Sequence, residues 1–171
     1  TADTIMLATG RRSNADLLEI GKTGVETDER GFVTVNDYME TNKPGIYAVG
    51  DANGRYMFRH IANIEATVAA RNAFGGKRES MDYSAAPHAV YSYPQIAAVG
   101  LTSDEARRDH EILVGRARYM DTATGEAMME TDGFAKAIVD KDTRRILGFH
   151  VIGPHAPSIV QEVINAMSSG G

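Results

Sequence analysis

Short apolar runs separated by glycine-containing turns dominate the first half of this chain. They lie at residues 4–8, 32–35 and 46–49, and each is four or five residues long. Runs this short and rich in Ile, Val and Tyr are typical of buried strands. Residues 15–20 add a short helical turn. The pattern predicts alternating strands and helices in this half.

A longer periodic pattern follows at residues 57–74. Met57, Ile61, Ile64 and Val68 are spaced by four, three and four residues, which places them on one face of a helix. Five alanines within this stretch favour helix formation, and two glycines after it end the helix. We expect one long helix here.

The pattern changes near residues 79–83. Alternating apolar residues then predict five strands, at residues 89–91, 96–99, 111–119, 134–139 and 146–152. Thr102 and Glu105 have the spacing of a helix capping box, and residues 140–143 resemble a hairpin turn. Pro157 suits the first turn of a helix running to about Met167. The second half is therefore expected to be α+β, a mostly antiparallel sheet with flanking helices.

Composition narrows the classes of function. The chain has 171 residues, of which 43% are hydrophobic and 24% charged, as in globular proteins. Its net charge of −5 and its lack of a basic block argue against nucleic-acid binding. No apolar stretch approaches the roughly 20 residues of a membrane span, so we expect no membrane association. The five histidines lack metal-ligand spacing, and no metal is expected.

The ends of the chain suggest a piece of a longer protein. The chain begins with Thr1, directly before a predicted buried strand, and it stops directly after a helical pattern. It contains no cysteine, so no disulfide or thiolate chemistry can come from its own residues.

Asp51 is the strongest candidate for ligand binding from the residues alone. It follows Gly50 at the carboxyl end of the predicted strand 46–49. Ligands of open α/β sheets bind at such strand ends, and a carboxylate there can accept hydrogen bonds from sugar-type hydroxyls. The alternative is that Asp51 caps a turn of its own backbone.

Three blocks in this order and spacing resemble one family, the class I pyridine nucleotide-disulfide oxidoreductases, which include dihydrolipoamide dehydrogenase and mercuric reductase. The blocks are residues 8–14 (ATGRRSN), 45–51 with 57–60 (GIYAVGD and MFRH), and 93–102 with 133–136 and 146–154. The resemblance covers nearly the whole chain, and its closest type is dihydrolipoamide dehydrogenase.

The resemblance implies a domain organisation. Residues 1–79 would hold the end of the NAD domain and the second segment of the FAD-binding domain, which together form an incomplete α/β segment. Residues 80–171 would be a C-terminally truncated dimerisation domain. We therefore expect a homodimer through residues 80–171.

The resemblance also implies cofactor contacts. Asp51 would accept hydrogen bonds from the ribityl chain of FAD, and the start of the long helix would face the pyrimidine edge of the flavin. The expected cofactor-binding residues are Gly10, Asp51, Met57, Phe58, Arg59 and His60. Gly10 would lie beside the NAD nicotinamide, or else simply form a strand-end turn. The side chain of Met57 can pack in the core, because its flavin contact would be through the backbone.

Two positions depart from the family pattern. Ser13 stands where the family has proline, and Arg59 replaces a small residue. Arg11 would position its loop against flavin or neighbouring acids, unless it forms only a surface ion pair. Tyr91 and Tyr93 would approach the flavin or a partner subunit, or pack in the sheet and interface.

Several parts of the family's chemistry are missing from these residues. The chain has neither a Cys-x4-Cys disulfide nor a Gly-x-Gly-x-x-Gly loop, and its His155 and Glu162 do not match the family's base pair. The full-length protein would use FAD and NAD(P) to pass electrons to or from a dithiol substrate, in the cytoplasm. The fragment alone would bind no cofactor and be inactive. The alternatives are mercuric reductase, another disulfide reductase, or an assembly module without flavin.

Overall fold

The computed structural model describes residues 2–76 and 78–170. The chain divides into two compact units, Thr1–Met81 and Asp82–Gly171. Each is described by itself.

The first unit is built around one long helix, α1, at Arg59–Phe74. Ile61 and Val68 are buried, as the periodicity predicts, but Ile64 is 51% exposed. The buried position between Ile61 and Val68 belongs instead to Glu65, which is fully buried. The helix ends at Phe74, and the Gly75 amide donates to the Arg71 carbonyl oxygen. Three short 3-10 helices, Ala15–Leu18, Ile20–Lys22 and Gly50–Ala52, complete the helical part of this unit.

The prediction of three regular strands in the first half is wrong. Residues 4–8 form no strand, and Ile5, Met6 and Leu7 are 82–86% exposed. The other two runs pair only through isolated bridges within the described residues, Thr27 with Val33 and Glu40 with Tyr47. A strand needs a hydrogen-bonded neighbour along its length, and an apolar run does not reveal whether one exists.

The second unit contains the expected antiparallel sheet. Its strands are β1 (Pro87–Val90), β2 (Ile96–Gly100), β3 (Ile112–Arg118), β4 (Phe134–Asp140) and β5 (Ile146–Ile152). Their order is β1-β2-β5-β4-β3, and all neighbours are antiparallel. All five predicted strands are present, so the predicted fold class is confirmed for this half.

Helices flank this sheet. They are α2 (Ser103–Ala106), α3 (Ala123–Ala127) and α4 (Ala156–Ser168). The capping box of α2 is present, with the Thr102 hydroxyl accepting from the Glu105 amide and the Glu105 carboxylate accepting from the Thr102 amide. Helix α4 packs on β1, β2 and β5 around a core of Ala97, Val99, Val151, Ala156 and Val160.

Tyr119 anchors the segment between β3 and α3. Its hydroxyl donates to the Pro154 carbonyl oxygen at 2.7 Å. A Cβ at Gly133 or Gly153 would lie 2.7 or 2.9 Å from its ring, and one at Gly125 would collide with its carbonyl oxygen. These three glycines therefore make the space that Tyr119 occupies. Burial raises the pKa of its phenol, with a smaller contribution from Glu130.

The Asp140 carboxylate holds the turn of the β4–β5 hairpin, at the position where the sequence of residues 140–143 predicts a hairpin turn. It accepts from the backbone amides of Asp142 and Thr143, from the Thr143 hydroxyl and from His110 Nδ1, at 2.7–3.0 Å. These bonds, first those from Thr143 and then that from His110, lower the pKa of Asp140 to about 2.

Among the described residues, no helix is both long and apolar enough to cross a membrane.

Candidate functional site

The segment that carries Asp51 is a tight turn packed against α1. Gly50 has a φ of +64°, and a Cβ there would lie 2.9 Å from the Cβ of Ala62. Only glycine allows both this left-handed backbone and this close approach. The turn is closed by the Asn53 amide, which donates to the Gly50 carbonyl oxygen at 3.1 Å.

A buried carboxylate from α1 holds the same turn. Oε2 of Glu65 accepts from the Gly50 amide at 2.5 Å and from Nδ2 of Asn53 at 3.0 Å. Both bonds are buried, where a hydrogen bond to a charged acceptor is stronger than at the surface. On the other side, the Val33 amide donates to the Ala52 carbonyl oxygen at 2.9 Å. The turn is therefore fixed from two directions.

This arrangement leaves the Asp51 side chain directed to solvent, 58% exposed. Its Oδ2 accepts from Nη1 of Arg11 at 2.8 Å, and the same nitrogen donates to the Met57 carbonyl oxygen at 3.1 Å. Arg11 thus links three segments, its own loop, the Gly50 turn and the approach to α1. Arg11 does meet a neighbouring acid, and the pair is exposed, so the observation agrees with both the positioning role and the alternative of a surface ion pair.

These segments line an open pocket of about 610 Å³ in the first unit. Its wall combines a cationic loop, an apolar floor and the Asp51 carboxylate, and consists of Arg11, Arg12, Ser13, Asn14, Ala15, Leu17, Leu18, Phe32, Val33, Asp51, Ala52 and Met57. A concave, mostly apolar surface with a few convergent polar groups is the usual form of a cofactor site.

The long helix begins two residues later in the structure than the sequence predicts. Helix α1 begins at Arg59, so Met57 and Phe58 precede it, with Phe58 in the N-cap position and extended. No side chain caps the helix there. Arg59 and His60 form its first turn and are exposed, and the His60 ring stacks on Phe58 with centroids 5.8 Å apart.

The structure brings together only part of the predicted set. Asp51 and Met57 share the pocket wall, whereas Phe58, Arg59 and His60 are not among its lining residues. Gly10 precedes the pocket-lining Arg11 and has a φ of +83° with nothing near its Cβ position. Gly10 lies in irregular backbone with no strand before it, so the strand-end turn is not observed, and the nicotinamide contact stays a prediction.

The residue that the sequence analysis missed is Glu65. A signal for it was present, because Glu65 lies four residues after Ile61 and three before Val68, on the helix face that the apolar residues define. A carboxylate on a buried helix face must have hydrogen-bond donors nearby, since an unpaired one would be costly. Among the described residues, no cluster of His, Cys, Asp or Glu is able to hold a metal ion.

The donor set fits a flavin. A half-exposed carboxylate on the wall of an open pocket suits the hydroxyls of a ribityl chain. The uncapped start of α1 presents the positive end of a helix dipole, which favours electron-rich groups.

Comparison with known proteins covers both units. The model of the pyridine nucleotide-disulphide oxidoreductase dimerisation domain matches residues 86–171, and a second pyridine nucleotide-disulphide oxidoreductase model matches residues 1–70.

Two of the similar proteins have different names. The chain is 40% identical to a dihydrolipoyl dehydrogenase of Chlamydia trachomatis over 167 residues, 96% of this chain and 36% of the relative. It is also 40% identical to a mycothione reductase of Mycobacterium tuberculosis over 175 residues, 99% of this chain and 38% of the relative. The chain therefore spans little more than a third of the length of these relatives.

A solved structure has the same fold. The HOCl-induced flavoprotein disulfide reductase RclA from Escherichia coli superposes with a TM-score of 0.82 at 27% identity, covering 95% of this chain and 38% of RclA. Together with the family models, which match residues 1–70 and 86–171, this similarity leads to one conclusion: the chain belongs to the pyridine nucleotide-disulphide oxidoreductases.

Proposed function

We propose that this chain forms one side of an FAD site and the dimerisation region of a dihydrolipoamide dehydrogenase-like flavoenzyme. The observation that carries the proposal is the position of Asp51, a carboxylate on the wall of a pocket of about 610 Å³ that Met57 also lines. Flavin, when bound, would supply the electron transfer between a nicotinamide and a redox disulfide.

The residues of this chain would bind and orient the cofactor. The Asp51 carboxylate would accept hydrogen bonds from ribityl hydroxyls while Arg11 holds its other side in place. Met57, Phe58, Arg59 and His60 would face the pyrimidine edge, where the start of α1 favours negative charge by about 0.3–1 kcal/mol. Gly10 would lie on the nicotinamide side.

The chain would not perform the reaction alone. It has no cysteine, so the redox disulfide must come from other residues, and it has no glycine fingerprint for either dinucleotide. We propose that residues 1–79 are the end of an NAD domain and the second segment of an FAD domain, and residues 80–171 part of a dimerisation domain, within a longer cytoplasmic protein that uses FAD and NAD(P).

A second candidate differs only in the substrate. The chain is as similar to a mycothione reductase as to a dihydrolipoyl dehydrogenase, at 40% identity to each. The substrate would then be a small-molecule disulfide instead of a protein-bound dithiol. Steady-state assays of the complete enzyme with dihydrolipoamide and with low-molecular-mass disulfides distinguish the two.

The flavin site is tested in the complete enzyme with Asp51→Ala and the control Asp37→Ala, an exposed carboxylate paired with Arg55. We expect Asp51→Ala to raise the dissociation constant for FAD by about tenfold, since a hydrogen bond to a charged group contributes about 1.5–3 kcal/mol and water replaces part of it. Equal FAD affinity in the two variants would contradict the proposal. Isolated residues 1–171 are expected to be colourless, and a flavin spectrum near one equivalent would contradict that part.

Dimerisation is tested by sedimentation of the isolated chain. We expect a mass of two chains at micromolar concentration, through residues 80–171. A mass of one chain at the highest soluble concentration would contradict this.

A further inference from the structure

Glu65 is a fully buried carboxylate that the proposed flavin contacts do not use. It lies in the second turn of α1, and its Oε2 accepts two buried hydrogen bonds, both from the turn that carries Asp51. The carboxylate lies inside the unit, so it cannot touch a cofactor in the pocket. Its possible effect on a ligand is therefore indirect.

The hydrogen bond from the Gly50 amide to Glu65 determines the geometry of the turn that carries Asp51. Gly50 directly precedes Asp51, and its left-handed φ of +64° sets the direction in which the next residue leaves the turn. The amide is buried with the residue, so without Glu65 it would lose its acceptor at a considerable cost. Glu65 therefore holds the turn conformation in which Asp51 is half exposed on the pocket wall.

The bond from Asn53 fixes the other end of the turn. Nδ2 of Asn53 donates to Glu65 while its Oδ1 accepts from the Arg55 amide at 2.9 Å. Asn53 is 7% exposed and closes the turn through its own amide. One carboxylate oxygen thus holds the residues on both sides of Asp51 and Ala52.

Helix α1 also carries the second part of the proposed site at its start. Glu65 lies six residues after Arg59, the first residue of α1, and Ala62 between them packs against Gly50. The Gly50 turn is therefore held by α1, the same helix whose start forms the second part of the site. We infer that Glu65 is a positioning residue, which sets the placement of Asp51 relative to the start of α1 and so the affinity for a flavin ribityl chain.

This inference rests on the proposed flavin site, and the test separates the two. The first measurement needs no flavin and uses the chain itself. Glu65→Ala is expected to speed hydrogen exchange of the Gly50 amide at least tenfold, as resolved by NMR. The matched control is Glu79→Ala, which removes a carboxylate that pairs with Arg71 of the same helix at 2.9 Å. Unchanged exchange at Gly50 in Glu65→Ala would overturn the inference.

The second measurement is a double-mutant cycle on FAD affinity in the complete enzyme, with Glu65→Ala, Asp51→Ala and both. If Glu65 acts through Asp51, each single variant weakens FAD binding about threefold to tenfold and the double variant is no weaker than Asp51→Ala. Additive losses would overturn the inference but leave the flavin site standing. No loss in Asp51→Ala would overturn the flavin site itself.

If Glu65→Ala does not fold, Glu65→Gln is used in its place for both the exchange and the FAD-affinity measurements. Glutamine has the same shape and retains one carbonyl oxygen, so it can accept from Gly50 while losing the charge. We expect it to recover at least half of the lost FAD affinity, measured on a logarithmic scale. A glutamine variant with wild-type melting temperature, slow Gly50 exchange and fully lost FAD affinity would contradict a role through the turn.

Discussion

Arg11 and Asp51, forty residues apart in the chain, are joined by a hydrogen-bonded ion pair of 2.8 Å. Both side chains are more than half exposed, so the attraction is weakened by water and salt. The pair holds the loop around Arg11 over the Gly50 turn without being a major source of stability.

The first prediction is that Arg11→Gln changes the free energy of unfolding by less than about 1 kcal/mol. The measurement is urea denaturation, with Arg12→Gln, which loses an exposed pair with Asp16, as the control. A loss above about 2 kcal/mol specific to Arg11 would show that its bond to the Met57 carbonyl oxygen matters more than its exposure indicates.

The second prediction concerns Gly50→Ala. The variant must place a Cβ 2.9 Å from that of Ala62 and hold alanine at a φ of +64°, so we expect a loss of about 2–4 kcal/mol. Gly45→Ala is the matched control, because Gly45 has a φ of +78° but nothing within 4 Å of its Cβ position. It isolates the backbone cost, about 1–2 kcal/mol. Equal losses in the two variants would mean that the contact with Ala62 relaxes freely.

The third prediction concerns acid stability. The pKa of Asp140 is about 2 in the folded chain and near 3.8 in the unfolded chain, so its contribution to folding stability is present above pH 4 and lost as the pH falls towards 2. We expect Asp140→Asn to lower the melting temperature at pH 6, with the difference from wild type shrinking between pH 4 and pH 2. Asp142→Asn, the neighbouring position in the same turn, serves as the control. A difference that stays constant over this range would contradict the assignment.

The fourth prediction concerns Tyr119→Phe. Removing the hydroxyl leaves the Pro154 carbonyl oxygen without this donor, and we expect a loss of about 0.5–1.5 kcal/mol. Tyr93→Phe, at a side chain that is 98% exposed, should be neutral. Burial raises the pKa of the Tyr119 phenol. In an ultraviolet titration, the ionisation with the raised pKa should therefore be missing from Tyr119→Phe and present in Tyr93→Phe.

Local sequence signals predicted the turns and caps of the second unit well because the residues that form them are near neighbours in the chain. The hairpin of β4 and β5 closes through Asp140 and Thr143, three residues apart, and α2 is capped by Thr102 and Glu105 at the same spacing. In both cases the residues that determine the structure are adjacent to it in the chain.

The same signals failed in the first unit because an apolar run does not show whether its backbone is paired along its whole length. The run at residues 46–49 has its bridge through Tyr47 to Glu40, and Gly50 is held by a glutamate fifteen residues away. Helical periodicity also misplaced Ile64, since an apolar residue next to the buried face need not be covered. Asp51 was singled out as a candidate ligand residue from its position after Gly50, but its bond to Arg11 depends on how the loop folds over it.

The two outer strands of the sheet limit how further strands can add to it. At one edge, β1 has only four residues, and at the other β3 carries Arg116 and Arg118 on an exposed strand. Short edges and charged side chains both oppose edge-to-edge pairing, because another chain in register would bring like charges together or gain few backbone bonds. This sheet is therefore protected against open-ended fibrillar growth even where its edges meet solvent.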